Sequence, residues 1–162
     1  MLHTIWGPGM ELREEELLRR EQRNRKYMMD LKSENLLLNY NLEAGRYTAA
    51  FFPEGIHGGW EAQTCQLRGH FLGHWLSAAA MRYHASGDGE IKAKADAIVH
   101  QLALCQEENG GQWVGPSPRN TCIGFAGASR CGAPVQPAIK SSWAWWTSTS
   151  WPGTRRPWLW RT

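Results

Sequence analysis

Apolar residues recur at helical spacing through the first 111 positions of this chain and then stop recurring. From Met10 to Leu31 a segment dense in Glu, Arg and Leu sets Leu17, Tyr27, Met28 and Leu31 on one side. Arg13, Glu16, Arg19, Arg20 and Arg23 lie on the other, which predicts a largely solvated helix. Ser33 is a suitable N-cap for a second helix carrying Leu36, Leu37, Leu38, Tyr40 and Leu42, with Gly45 as its stop. Arg46 to Gly59 holds Pro53, Gly55, Gly58 and Gly59 and reads as a loop. A third helix is expected over Gln66 to Ala85, where Leu67, Phe71, Leu72, Trp75, Leu76 and Ala79 cover most of the circumference, as in a helix lying between layers. After the turn Ser86-Gly87-Asp88-Gly89, a fourth helix over Glu90 to Glu107 places Ile91, Ala95, Ile98, Leu102 and Cys105 at steps of three and four. Asn109-Gly110-Gly111 ends it. No stretch alternates as a strand does, so the fold class is all-α, and the last two helices form an αα-hairpin.

Charge divides the chain more sharply than periodicity. The net charge of +3 over 162 residues averages two unlike parts. Met1 to Pro118 carries 15 acidic and 12 basic residues; Arg119 to Thr162 carries six basic residues, no acidic one, six of the ten tryptophans and a single leucine. A basic, tryptophan-rich strip would suit nucleic acid, by phosphate neutralisation and base stacking, or a membrane interface. The third explanation is a slipped reading frame, and tryptophan tests it because it has one codon. When each new codon takes the third base of one codon and the first two of the next, Trp143-Ala144 forces Gly, Trp145-Trp146 forces Val, Trp146-Thr147 forces Asp and Trp151-Pro152 forces Ala. With permitted choices at the degenerate positions, Ala138 to Thr154 reads HKILMGLVDVYELAGNE, an amphipathic helix with a Gly-Asn stop. The expected organisation is therefore a helical unit over 1–118 and an irregular, frameshifted or disordered tail over 119–162, with neither nucleic acid nor membrane as partner. Met1 to Gly9 lacks the basic flank and long apolar run of a signal peptide, and with two free-thiol candidates, Cys65 and Cys105, in no C-x-x-C spacing, the expected compartment is the cytoplasm.

The candidate chemistry sits in GGWEAQTCQLRGHFLGHWLSAAA, residues 58–80. His70 and His74 stand four apart, with Gly69 and Gly73 immediately before them. Two glycines in a helix cost about 1 kcal/mol each against alanine, which calls for a close approach by a backbone or a ligand. The Gly-Gly-Trp-Glu turn adds an indole and a carboxylate near the start of the helix. Three readings stay open: polar groups lining a small-molecule site, two satisfied core histidines, or a metal pair. The metal reading is the weakest, because Phe71 stands where zinc helices carry Glu and only Cys65 and His57 are near in sequence. The candidate substrate-binding residues are Trp60, Glu61, His70 and His74, with no metal ligand and no catalytic residue assigned.

Taken in order, NLLLNYNLEAG, GGWE, QLRGHFLGHWLSA and SGDGEIKAKADAIVHQLALCQEENGG resemble the N-terminal part of the β-L-arabinofuranosidase-like proteins, glycoside hydrolase family 127 and its relatives. The resemblance spans about Leu12 to Gly115. It implies helical hairpins from an incomplete (α/α)6 barrel and hydrolysis of terminal β-linked L-arabinofuranosyl or related sugars. It also implies, for the full-length family, a zinc-bound cysteine thiolate as nucleophile and a glutamate as acid/base. Those groups lie far downstream in the family, and none maps onto Cys65, Cys105 or any other residue here. What does map is the GGWE turn and the RGHFLGH helix, segments that face the sugar in that barrel. The expectation is a glycosidase fragment, inactive alone, without a cofactor of its own and with a glycoside as partner. The alternatives are a non-catalytic carbohydrate-binding module and a helical interaction protein. The absence of a repeat period weakens the last.

Overall fold

Among the described residues, leucine-rich runs fold into four α-helices, the first pair and the last pair joined by two-residue connections and the second and third helices by a longer segment. The computed structural model describes residues 12–46, 54–65, 68–111 and 114–117. Its elements are α1 (Glu15–Asp30), α2 (Ser33–Glu43), a 3-10 turn (Gly59–Glu61), α3 (His70–Ser86) and α4 (Gly89–Glu108). There is no strand among the described residues, and no helix among them is long and apolar enough to cross a membrane. The tail expected over 119–162 lies outside the described residues.

The core is where α4 packs against both α2 and α3. Ile91, Ala95, Ile98, Leu102 and Cys105, the whole apolar stripe expected of the fourth helix, are buried. They meet Leu36, Leu37 and Tyr40 of α2 and Leu72, Trp75, Leu76, Ala79 and Ala80 of α3. At about 25 cal/mol per Å2 of apolar surface removed from water, this continuous cluster is the main source of stability. The α3–α4 connection is only Gly87 and Asp88. Gly87 takes a left-handed φ of 69°, and its N–H donates to Tyr83 O at 2.8 Å. The Asp88 side chain caps α4 by accepting from Ile91 N at 3.3 Å.

α1 is attached by polar contacts more than by burial, with Met28 as its one buried residue. Trp75 Nε1 donates to Met28 O at 3.2 Å. Lys94 Nζ donates to Met28 O at 3.1 Å, to Met29 O at 2.9 Å and to Leu31 O, while lying 5.4 Å from the Trp75 ring centre. The ammonium thus meets the carbonyls that the end of α1 leaves unpaired, at the negative pole of its dipole. Partial burial draws the Lys94 pKa below the ordinary lysine value, with Asp30 pulling the other way. Nearer the start of α1, Arg82 bonds Glu21 at 2.5 Å, and Arg25 and Arg82 converge on Asp88 at 2.7 and 3.0 Å.

Three boundaries differ from the sequence reading. α1 begins at Glu15 rather than Met10, because Glu14 is extended at ψ 126° and Leu12 to Glu14 are not helical. Lys32, not Ser33, is the N-cap of α2, because only Leu31 and Lys32 separate α2 from α1 and Ser33 is already helical. α3 begins at His70 rather than near Gln66, because Gly69 takes a left-handed φ of 88° that interrupts a helix.

Candidate functional site

Gly69 decides how the predicted site is built. A Cβ at Gly69 would lie 2.3 Å from Pro116 Cγ and 3.2 Å from Tyr40 Oη, so the crowding at this glycine comes from the side chains of Pro116 and Tyr40 and not from the helix backbone or ligand expected. Gly73, within α3, is different: a Cβ there would meet nothing within 4 Å. A left-handed residue ahead of a helix leaves its first N–H groups without a local cap. Glu61 supplies one from a distance. Its Oε2 accepts from Gly69 N and its Oε1 from Phe71 N, both at 2.8 Å, placing a carboxylate at the positive pole of α3.

The segment carrying Glu61 is held from α2. Asn35 Nδ2 donates to Glu54 O at 3.0 Å and Gly55 O at 2.7 Å, and Asn39 Nδ2 donates to Glu61 O at 2.9 Å. Tyr40 Oη donates to Gly69 O at 3.0 Å. Burial, with the Glu61 charge as the second cause, pushes the Tyr40 hydroxyl far above its ordinary pKa, so it is a permanent donor. Arg68 closes the far side. It donates to Pro116 O at 2.5 Å and Gln63 O at 2.6 Å, and lies 3.6 Å from Glu43. The half-buried Glu43 carboxyl is raised by desolvation against the opposing pull of Arg68.

Of the predicted site residues, Trp60 projects from this joint with 73% of its surface exposed. His70, the first residue of α3, is half-buried, and His74, one turn on, is exposed. The two histidines share a face with Ser77 and Met81, roughly opposite Leu72, Trp75, Leu76 and Ala79, so His74 is not a core residue. Glu61 brings Trp60 and His70 to the same end of α3, and the His57 ring packs edge-on against Phe71 at 5.6 Å. Asn35, Asn39, Tyr40 and Arg68 escaped the sequence reading. Their signal was available: Asn35 and Asn39 stand i, i+4 inside a leucine run, and a buried amide on a helix must find a partner.

Cys105 Sγ donates to Asn41 Oδ1 at 3.4 Å, and burial raises its pKa, which makes it a structural thiol. Among the described residues no three of His, Cys, Asp and Glu gather closely enough to hold a metal ion.

Residues 11–147 match the family model described as β-L-arabinofuranosidase, GH127 catalytic domain, and the chain belongs to that family. No curated protein and no solved structure matches the chain. The matched segment runs past Pro118 into the basic, tryptophan-rich stretch.

Proposed function

We propose that this chain is the N-terminal part of a glycosidase acting on terminal β-L-arabinofuranosyl or related sugars, and that it forms one wall of the sugar site without completing it. The observation that carries the proposal is the display of Trp60, His70 and His74 at the end of α3, on a scaffold held by the bonds of Glu61, Asn35, Asn39, Tyr40 and Arg68. An exposed indole offers a face to sugar C–H groups, and imidazole nitrogens can hydrogen-bond hydroxyls. Glu61, with both oxygens accepting from backbone N–H groups, acts by fixing the Trp60 turn to α3.

Hydrolysis with retention needs a nucleophile and an acid/base about 5 Å apart. Cys105 is buried and raised in pKa, and its thiol is engaged with Asn41 Oδ1. Purified chain incubated with an aryl β-L-arabinofuranoside and zinc should therefore release no more phenol than buffer does; turnover would sink the reading. Binding without turnover, read as tryptophan quenching by methyl β-L-arabinofuranoside that is lost in Trp60→Ala, would support the wall or the alternative of a non-catalytic sugar-binding module. Sequencing the gene beyond the Pro118 codon separates those two.

The same experiment addresses the tail. The composition break at Arg119 and the forced codons support a frame lost there, whereas the family match reaching residue 147 pulls the other way by carrying the observed frame across Pro118. A downstream frame that opens into further family-like codons fits the fragment proposal. A stop in both frames favours the binding module.

A further inference from the structure

α1 is fastened to the rest of the molecule by its charges and its last carbonyls. Of its 16 residues only Glu21, Arg25, Met28 and Met29 are not exposed, and they form one stripe at steps of three and four. Each has a partner on α3, on α4 or in the turn between them. Glu21 meets Arg82 at 2.5 Å, and Arg25 meets Asp88 at 2.7 Å and Glu90 at 2.5 Å. The carbonyls of Met28 and Met29 accept from Lys94, and that of Met28 also from Trp75 Nε1. Met28 is the one fully buried residue that α1 brings to the core, against five from α4. With its early residue on Arg82 and its late one on Trp75, α1 lies antiparallel along α3 as a strap.

The strap has a hinge at its end. Leu31 and Lys32, the two residues between α1 and α2, are both extended, at ψ 119° and 128°. Rotation there moves α1 without unwinding α2. Apolar burial ties α2, α3 and α4 into one cooperative unit, whereas partly exposed ion pairs each contribute little and trade their partners for water and salt. An opening that gives up one methionine and a set of polar bonds is easier than one that breaks the stripe of α4. We infer that α1 is a releasable strap: it swings away from α3 as a unit about Leu31 and Lys32 while α2, α3 and α4 stay packed. Its release uncovers the edge of Trp75 that faces Met28, a ring only 3% exposed when the strap is closed, and frees the Lys94 ammonium from the carbonyls of Met28, Met29 and Leu31. Because ion pairs fasten the strap, ionic strength governs how often it opens.

Native-state amide exchange on the purified chain tests this. Amides from Arg23 to Asp30 should share one opening equilibrium and exchange at least about 100-fold faster than those from Ile98 to Cys105. Arg25→Gln, at a partly exposed site outside the core, should speed exchange all along that stretch of α1 about tenfold and leave Ile98 to Cys105 unchanged. Raising sodium chloride from about 10 mM to about 1 M, which shortens the screening length from about 30 Å to about 3 Å, should speed α1 relative to α4. Acetylation of Lys94 by acetic anhydride should accelerate in Arg25→Gln by the same factor as the α1 amides. The inference is overturned if the α1 amides exchange only with the whole molecule, at the rate of α4. It is equally overturned if Arg25→Gln acts only within the turn around residue 25, which is fraying and not release, if it speeds α4 as much as α1, if salt leaves the ratio of α1 to α4 unchanged, or if Lys94 labelling does not follow α1.

Discussion

The two ends of α3 are built on opposite plans. Its C-terminal end closes within a few residues, through the left-handed Gly87, its bond to Tyr83 O and the Asp88 cap of α4. Its N-terminal end closes only by reaching across the molecule, to Glu61 eight residues away, Tyr40 29 away and Pro116 packed where a Cβ would be. The first plan needs a turn that almost any αα-hairpin can use. The second makes the start of α3, and with it Trp60 and His70, depend on three separate pieces of chain arriving together. A local joint tolerates change at a distance, whereas a joint of remote parts fails when any part is altered.

Glycine substitution should expose that contrast most strongly. Gly69→Ala combines a φ of 88° with a Cβ 2.3 Å from Pro116, and should cost more than about 3 kcal/mol or prevent folding. Gly73→Ala, four residues along, should instead stabilise by up to about 1 kcal/mol, since its Cβ meets nothing and alanine is the better helix former. Urea denaturation followed by circular dichroism compares them. Equal effects at the two positions would remove the distinction between a joint glycine and a helix glycine.

The remote cap comes next. Glu61→Ala leaves Gly69 N–H and Phe71 N–H without acceptors and should cost about 2–4 kcal/mol, with amide exchange at Phe71 accelerated ahead of global unfolding. Glu61→Gln keeps one acceptor and loses the charge, so it should recover part of that loss. A Glu61→Ala chain that melts like the wild type, with Phe71 still protected, would show that α3 starts without its cap.

These two predictions mark the border of what the sequence made legible. The stripe of α4, the Gly87–Asp88 turn and the all-helical class are local properties, written in spacing three and four and in turn residues, and they appear as expected. The close approach at Gly69 was legible as a need, but its partner was not, because Pro116 is 47 positions away. The cap made by Glu61 is not legible, because a carboxylate after Trp looks the same in sequence whether it faces a ligand or a helix start. The amides of Asn35 and Asn39 satisfy carbonyls about 20 residues off, a pairing that no helical periodicity encodes. Leu17 and Tyr27 were placed on an apolar face by pattern alone, and both are exposed, Tyr27 at 54%. Propensity fixes a helix, while its neighbours decide which part of its stripe is covered.

At the local end of α3 the sensitive variable is pH. The Arg25 bond, helped by Arg82 and the Ile91 amide, holds the Asp88 carboxyl well below the usual carboxylate range despite opposing desolvation. A depressed folded-state pKa contributes stability that is fully present above the unfolded value of about 3.9 and is lost as pH falls through the folded value. Asp88→Asn should therefore cost about 1–3 kcal/mol at pH 7, and the gap from wild type should narrow below about pH 4. A gap that stays constant down to pH 2 would mean that the aspartate acts as a cap without its charge.

The smallest expected effect on stability, and the largest contrast between stability and function, belongs to His74. Its side chain is exposed, one turn inside α3 and clear of the joint that fixes Trp60. His74→Ala should shift folding stability by no more than about 0.5 kcal/mol, as surface substitutions do. His70→Ala, at the half-buried first residue of α3, should cost somewhat more. In an enzyme with the downstream frame restored, at least one of these variants should lower kcat/KM by a factor on the order of ten to a thousand, the loss expected when a sugar hydroxyl forfeits one or two hydrogen bonds. Bound zinc should stay constant in both. Metal lost in step with activity would make the pair ligands, and activity retained with stability lost would make His70 a structural residue. Only activity lost with metal and fold intact leaves the exposed face of α3 as the wall of the sugar site.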